Sequence, residues 1–402
     1  MTVLGLAIAI LAVGIDNYIV AATLPAIARD LGEGIASVGL LVSAYALPTA
    51  IFAPAFGPLS DRRGRRFALM VGLAIFCIAA TGCILAPSLP FLLVARAVNG
   101  IGSAIVVPAV FAAAGDIPAP SLRARTMSLM ATMLPLSTLL GLPVGALVAA
   151  ATSWRGAFAF ILVVAVAALV LVLRLPHVSQ LVTTRPPGYR EALRTVLRDR
   201  RAVRILATTT LWFTGSTGLF TYLAEFVHVR FAVPVEQAGF IYVVVGLVGV
   251  VAARVSGRTI ERFGARAVVL TGMALFIGSV SLLGSAPNLP TAIMLFAIWA
   301  AGTWFAVPGQ SIIVAGLSDR TRGTMLAFNS SAINLGFVFG PIVTGRVIEE
   351  YGFQVGAPWA AFLGALAFAA AWRVLPGRAD TDARHAIEAR ARPRLSSEDA
   401  RD

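Results

Sequence analysis

The 402-residue chain is 58% hydrophobic and 13% charged, with a mean hydropathy of +0.86, a composition that excludes a soluble globular domain. Its net charge of +13 would suit a nucleic-acid binder, but all 32 basic residues are arginines gathered in short segments between apolar runs, so no nucleic-acid partner is expected. The sequence has no His/Cys metal spacing, P-loop or nucleophile–base pairing, which argues against an enzyme, an ATP-driven pump, a metal site or a cofactor.

A span of about 20 mainly apolar residues crosses a bilayer core. Twelve such runs are predicted, near 3–28, 36–57, 67–86, 89–114, 126–151, 156–174, 203–224, 236–257, 266–286, 289–315, 322–347 and 355–375. The first holds Asp16 and Asn17, and the second holds Tyr45 and exits through GPLSDRRGRR, with Gly57, Asp61, Arg62, Gly64, Arg65 and Arg66. Cys77 and Cys83 lie six apart in the third and read as packing residues. The fourth carries Arg96 and ends at Asp116; the fifth carries Gly141, Pro143 and Gly145. Residues 175–202 form the one long internal connection, whose segment YREALRTVLRDRR predicts a short amphipathic helix that holds Leu193 and Val196 against the bilayer or the bundle. The seventh run holds Trp212 and ends at Glu225. The eighth holds Tyr242 and exits through GRTIERFGAR, with Gly257, Glu261, Arg262, Gly264 and Arg266. Trp304 lies in the tenth run, and Asn329, Asn334, Gly340 and Pro341 in the eleventh. After Pro376, arginines alternate with acids and no apolar face is sustained, so 376–402 is expected to be disordered.

GPLSDRRGRR and GRTIERFGAR share a pattern exactly 200 positions apart, half the chain length, and each joins two apolar runs. The expected architecture is therefore an all-α integral membrane protein, with twelve transmembrane helices in two pseudo-symmetric six-helix bundles at 1–174 and 203–375. Every even-numbered run exits into a basic segment, whereas the alternate connections hold few arginines among several acids, so by the positive-inside rule both termini face the cytoplasm.

GPLSDRRGRR resembles the signature between the second and third helices of the major facilitator superfamily. Other pieces follow in the expected order. IVAATLPAIARDLG after Asp16 is similar to the first-helix pattern of drug:proton antiporters, Arg96 with Asn99, Gly100 and Gly102 to the family's arginine motif, and Gly141, Pro143 and Gly145 to the antiporter motif. In that motif Gly usually precedes Pro directly, whereas here Leu142 intervenes and Ala146 replaces the last Gly; the eleventh run keeps the tighter form in Gly336, Gly340, Pro341 and Gly345. The resemblance covers the whole chain and implies the twelve-helix antiporter branch.

A bare carboxylate midway along a span costs about 2.5–3.5 kcal/mol on insertion scales, so Asp16 must face a watery cavity, pair with a cation or hold a proton. Arg96 is its nearest plausible partner, and Glu225 is a second proton or cation site. Asp61 is placed to cap the start of the eleventh run near Thr321 to Met325, an interaction worth about 0.3–1 kcal/mol. Arg62 or Arg65 is expected to pair with Asp116, and Glu261 to approach Arg125 and Thr126, so both basic segments read as gating elements. Gly141, Pro143 and Gly145 suit a flexible, tightly packed helix at a rocking interface between the halves. Asn17, Tyr45, Trp212, Tyr242, Trp304, Asn329 and Asn334 are candidates for the substrate pocket near the midplane, where aromatic faces would suit amphiphilic or cationic organic molecules.

The expected function is secondary active efflux of a small organic compound or drug in exchange for protons, by a monomer in the cell (inner) membrane. The alternatives are a proton-coupled importer of a small metabolite and a non-transporting membrane sensor.

Overall fold

The computed structural model describes residues 2–117, 120–174, 189–317 and 322–375; the expected disordered tail and the first half of the 175–202 connection, residues 175–188, lie outside them. The described residues form fourteen helices: α1 (Thr2–Leu31), α2 (Ile35–Arg63), α3 (Arg65–Ile84), α4 (Leu89–Gly115), α5 (Pro120–Ala151), α6 (Trp154–Leu173), α7 (Tyr189–Arg198), α8 (Arg200–Thr221), α9 (Leu223–Phe231), α10 (Val235–Phe263), α11 (Ala265–Leu283), α12 (Leu289–Ala315), α13 (Arg322–Tyr351) and α14 (Phe353–Val374). Ten of these are long and apolar enough to cross a membrane. The other two expected spans correspond to α5 and to α8 with α9. Helix α8 is less apolar because it carries Thr208, Thr209, Thr210, Thr214, Ser216, Thr217 and Thr221. The threonine hydroxyls are satisfied within the bundle. Thr209, Thr214, Thr217 and Thr221 return hydrogen bonds to carbonyls four residues earlier, and Thr210 and Thr217 also reach Ala332 O at 3.1 Å and Gly336 O at 2.9 Å on α13.

Helices α1 to α6 pack on one another, as do α8 to α14, and the two groups meet along α2 against α13 and α5 against α10. The 200-residue repeat is visible in the backbone. Gly64 (φ 91°, ψ 150°) and Gly264 (φ 85°, ψ 156°) adopt the same conformation, at a positive φ that residues with a side chain rarely adopt. Two residues on, Arg66 donates to Leu173 O at 2.6 Å, closing α3 onto the end of α6, and Arg266 donates to Trp372 O at 2.7 Å, closing α11 onto the last turns of α14.

Two boundary expectations need correction. The stretches predicted as loops after runs two and eight are largely helical: α2 continues through Asp61 and Arg62 to Arg63, α10 continues through Glu261 and Arg262 to Phe263, and the chain turns only at the glycine that follows each. Gly57 and Pro58 in α2 and Gly257 in α10 do not end these helices, and charged side chains are tolerated in a helix that has left the apolar layer. Span seven is two helices, broken at Tyr222 (φ −102°, ψ 12°), with no proline or glycine at the break. The bundle therefore has two ends, one marked by Gly64 and Gly264, the other by the α1–α2 turn at Gly32 and by the end of α9.

Candidate functional site

Asp16 on α1 and Arg96 on α4 are both fully buried, and Arg96 Nη1 donates to Asp16 Oδ2 at 2.6 Å. Asn99, one helical turn along α4, donates to the same oxygen at 3.1 Å. Both donors converge on Oδ2, leaving Asp16 Oδ1 and Asn99 Oδ1 without a donor among the described residues. Arginine stays protonated, so this arrangement neutralises a cation that would otherwise be stranded in the apolar layer. The Tyr45 ring of α2 covers the guanidinium at 4.5 Å, and the Phe158 ring of α6 stands at 5.9 Å. Tyr45, expected in the substrate pocket, thus belongs to the ion-pair site.

Two members of this site, Asp16 and Tyr45, each lie two residues from a contact between the bundles. On α1, the Tyr18 ring meets Phe220 of α8 edge-on at 5.9 Å and Phe337 of α13 at 6.4 Å. On α2, Ser43 donates across to Val338 O of α13 at 2.8 Å. Closer to the Gly32 end, Tyr222 donates to Pro341 O at 3.0 Å, and its hydroxyl lies in a slot between Gly39 of α2 and Gly345 of α13. An added methyl on Gly345 would fall 3.1 Å from Ala36 Cβ and 2.5 Å from the Tyr222 hydroxyl, so the helices approach closely only because glycine stands there. These cross-bundle contacts form a layered seal from mid-bundle to the Gly32 end. The sequence analysis missed Tyr18, Phe220, Phe337, Tyr222 and Gly39. Tyr18 alone carried a usable signal, since it follows Asp16 and Asn17.

The remaining expected site residues divide. At the Gly64 end, Arg65 Nε donates to Asp116 Oδ2 at 2.7 Å. The side chains of Asp61 and Arg62, with the neighbourhood of Gly57, lie outside the described residues, as do residues 318–321 ahead of α13. Gly257 is exposed, with nothing within 4 Å of a methyl built on it. Glu261 is exposed and makes no contact with Arg125 or Thr126 among the described residues, while Arg262 lies over the Phe263 ring at 5.2 Å. Glu225 is partly buried in the first turn of α9 and is not brought to the Asp16 carboxylate, whose hydrogen-bond partners are Arg96 and Asn99.

The antiporter-motif glycines require a correction. A methyl on Gly141 would meet Ile15 Cα at 3.1 Å, and one on Gly145 would run into Ile19, both on α1 of the same bundle. Gly340 likewise faces Gly218 N on α8, at 2.7 Å. The small faces close each bundle internally, with Pro143 partly buried among them, and α5 meets the other bundle through Leu139, which faces Gly246 of α10. Spacing marks a close approach without saying which helix approaches.

Among the pocket candidates, Asn17 is partly buried and Asn329 buried, each with Oδ1 unpartnered among the described residues. Trp212 is buried against Phe213, at 5.1 Å, and Tyr242 is buried against Phe220, at 5.6 Å. Trp304 packs on α10 at Gly249, and Asn334 donates back to Ser330 O at 2.9 Å within α13. Trp299, which no motif marked, lies against Phe220 at 5.7 Å.

Comparison with known proteins agrees with this architecture. The model of the Major Facilitator Superfamily matches residues 6–264 and 231–398. The chain is 27% identical over 344 residues to the uncharacterized MFS-type transporter YceJ of Bacillus subtilis, covering 84% of this chain and 87% of that protein. It is 26% identical over 373 residues to a chloramphenicol resistance protein of Streptomyces lividans, covering 89% and 92%. Its fold superposes on the crystal structure of a D-xylose-proton symporter with a TM-score of 0.77 at 18% identity, covering 94% of this chain and 98% of that one. Twelve-span helical architecture, a half-length repeat and a family match along most of the sequence converge: the chain is a multi-pass membrane transporter that belongs to the major facilitator superfamily.

Proposed function

We propose that the protein exports a small organic compound in exchange for protons, by rocking two bundles, 1–174 and 203–375, about a central site. The carrying observation is that the Asp16–Arg96 pair is tied to the seal on both sides: Tyr18 two residues after Asp16, and Ser43 two residues before the Tyr45 that covers Arg96. In the present conformation the Gly32 end is closed and the pair is sealed from water. When that end opens, α2 leaves α13, Ser43 loses Val338 O, and displacement of Tyr45 uncovers Arg96. Water then reaches Asp16, and a proton arriving there has a vacant position at Oδ1. Protonation frees Arg96 to meet water or an anionic group, and closing the Gly32 end again requires the proton to leave so that the ion pair can re-form.

In this reading the Gly64 end faces the cytoplasm, together with both termini, because the arginines gather there. The linker 175–202 joins two independently moving bundles, and a monomer in the cell membrane suffices. Arg65 with Asp116, and Asp61 with its counterpart Glu261, act at the cytoplasmic gate. The substrate enters from the cytoplasmic side and meets the aromatic layer of Tyr18, Phe220 and Phe337. The resistance protein among the relatives makes chloramphenicol the first compound to try.

The test is transport of chloramphenicol into inside-out proteoliposomes with an imposed pH gradient. Wild-type protein is expected to accumulate the compound against its gradient, and Asp16→Asn to lose the dependence on pH. Gradient-driven transport that survives Asp16→Asn refutes the proton role, and movement with the proton rather than against it would make the protein an importer.

A further inference from the structure

Helix α7 is amphipathic, and the bundle covers only part of its apolar face. Val196 is buried and Leu193 partly buried, but Leu197 is 61% exposed. Leu197 is flanked in the chain by the exposed arginines Arg194, Arg198, Arg200 and Arg204, with Arg201 partly buried. The position of this surface relative to the apolar layer is fixed by one residue. Asp199 alone separates α7 from α8, and its Oδ1 accepts from Arg201 N at 2.8 Å and Ala202 N at 3.2 Å, capping α8. Its own N–H donates back to Val196 O at 3.1 Å. The turn between the helices is thereby set at both ends.

From Ile205 to Ala224 the chain carries no charged residue, so the apolar layer begins just after Arg204. At 1.5 Å per residue, the four steps from Arg200 to Arg204 within α8 span about 6 Å, within one Debye length of about 10 Å at 0.1 M salt. An exposed leucine flanked in the chain by arginines at that depth matches a membrane surface of negative charge, with the leucine reaching the acyl boundary and the guanidiniums meeting phosphates.

We infer that the α7–α8 corner is a docking surface for anionic phospholipid headgroups, which hold the linker helix on the membrane and give the two bundles a fixed point about which to rock. The inference concerns lipid binding and stands whether or not the transporter is proton-coupled.

The test needs no transported substrate. Leu197→Cys, in a background with Cys77 and Cys83 replaced, is labelled with bimane, and the protein is placed in nanodiscs of phosphatidylcholine alone or mixed with phosphatidylglycerol. Quenching of the label by acrylamide, an uncharged quencher, is expected to fall about twofold in the anionic discs, and to recover in about 1 M salt, where the screening length is about 3 Å. Arg194→Gln/Arg198→Gln/Arg204→Gln should remove the difference between the discs, and the corresponding triple lysine variant should restore it. Equal quenching in both discs, or an effect that survives the triple glutamine variant, overturns the inference. So does protection by inorganic phosphate in phosphatidylcholine discs, which would indicate a site for free anions. Protection in phosphatidylcholine discs that is lost on deletion of residues 376–402 would also overturn it, making the charged tail the occupant.

Discussion

The slot at Tyr222 offers the sharpest test of the seal. In Gly39→Ala the new methyl would fall 2.7 Å from Cζ and 2.9 Å from Cε1 of Tyr222, and onto its hydroxyl. The ring cannot swing aside, because Tyr222 is 1% exposed and its hydroxyl is held by Pro341 O on one side and closed in by Gly345 on the other. Overpacking of this kind costs about 1–3 kcal/mol, and the cost falls only on the conformation in which α2 and α13 meet. The balance should therefore shift by about 5- to 150-fold toward the conformation open at the Gly32 end. Ser43→Cys, placed inside the seal in a background without Cys77 and Cys83, reports that shift through its rate of reaction with a membrane-impermeant maleimide added from the Gly32 side. Gly39→Ala should raise the rate by the same factor. In a Tyr222→Ala background, which loosens the seal by itself, Gly39→Ala should add nothing further. Unchanged labelling in Gly39→Ala, or an equal increase in both backgrounds, refutes the latch.

Two further outcomes follow from the packing. Asp16→Asn strands Arg96 as a buried, unpaired cation, a loss of about 3–5 kcal/mol that thermal unfolding in detergent should register. Asp16→Asn/Arg96→Gln removes both charges and should recover much of that stability without restoring coupled transport; a double variant no more stable than the single one would show that the pair is not the source of the loss. Gly141→Ala crowds Ile15 within one bundle, so it should lower thermal stability by about 1–3 kcal/mol while leaving Ser43→Cys labelling unchanged; faster labelling would return α5 to the moving interface.

What could be read ahead of the structure follows from where free energy is concentrated in one residue. Asp16 and Arg96 were legible because charges in an apolar run are rare and expensive, so each demands a partner and few are available. Gly64 and Gly264 were legible because an exact repeat is visible without knowing what it packs against, and their shared positive φ shows why glycine stands at both. The seal offered no such signal. Tyr18, Phe220 and Phe337 are ordinary aromatic residues of membrane helices whose periodicity does not disclose which face meets the other bundle. The same blindness to rotation misdirected the glycines of α5: their spacing announces a close neighbour, and only the packing reveals that it is α1. The break at Tyr222 was hidden for a related reason, since no proline or glycine marks it and the tyrosine serves the tertiary contact with Pro341 rather than a local preference. Sequence alone thus exposes the groups that would be costly if left unpaired. The cross-bundle contacts are built from ordinary side chains, and their meaning exists only once α2, α8 and α13 are brought together.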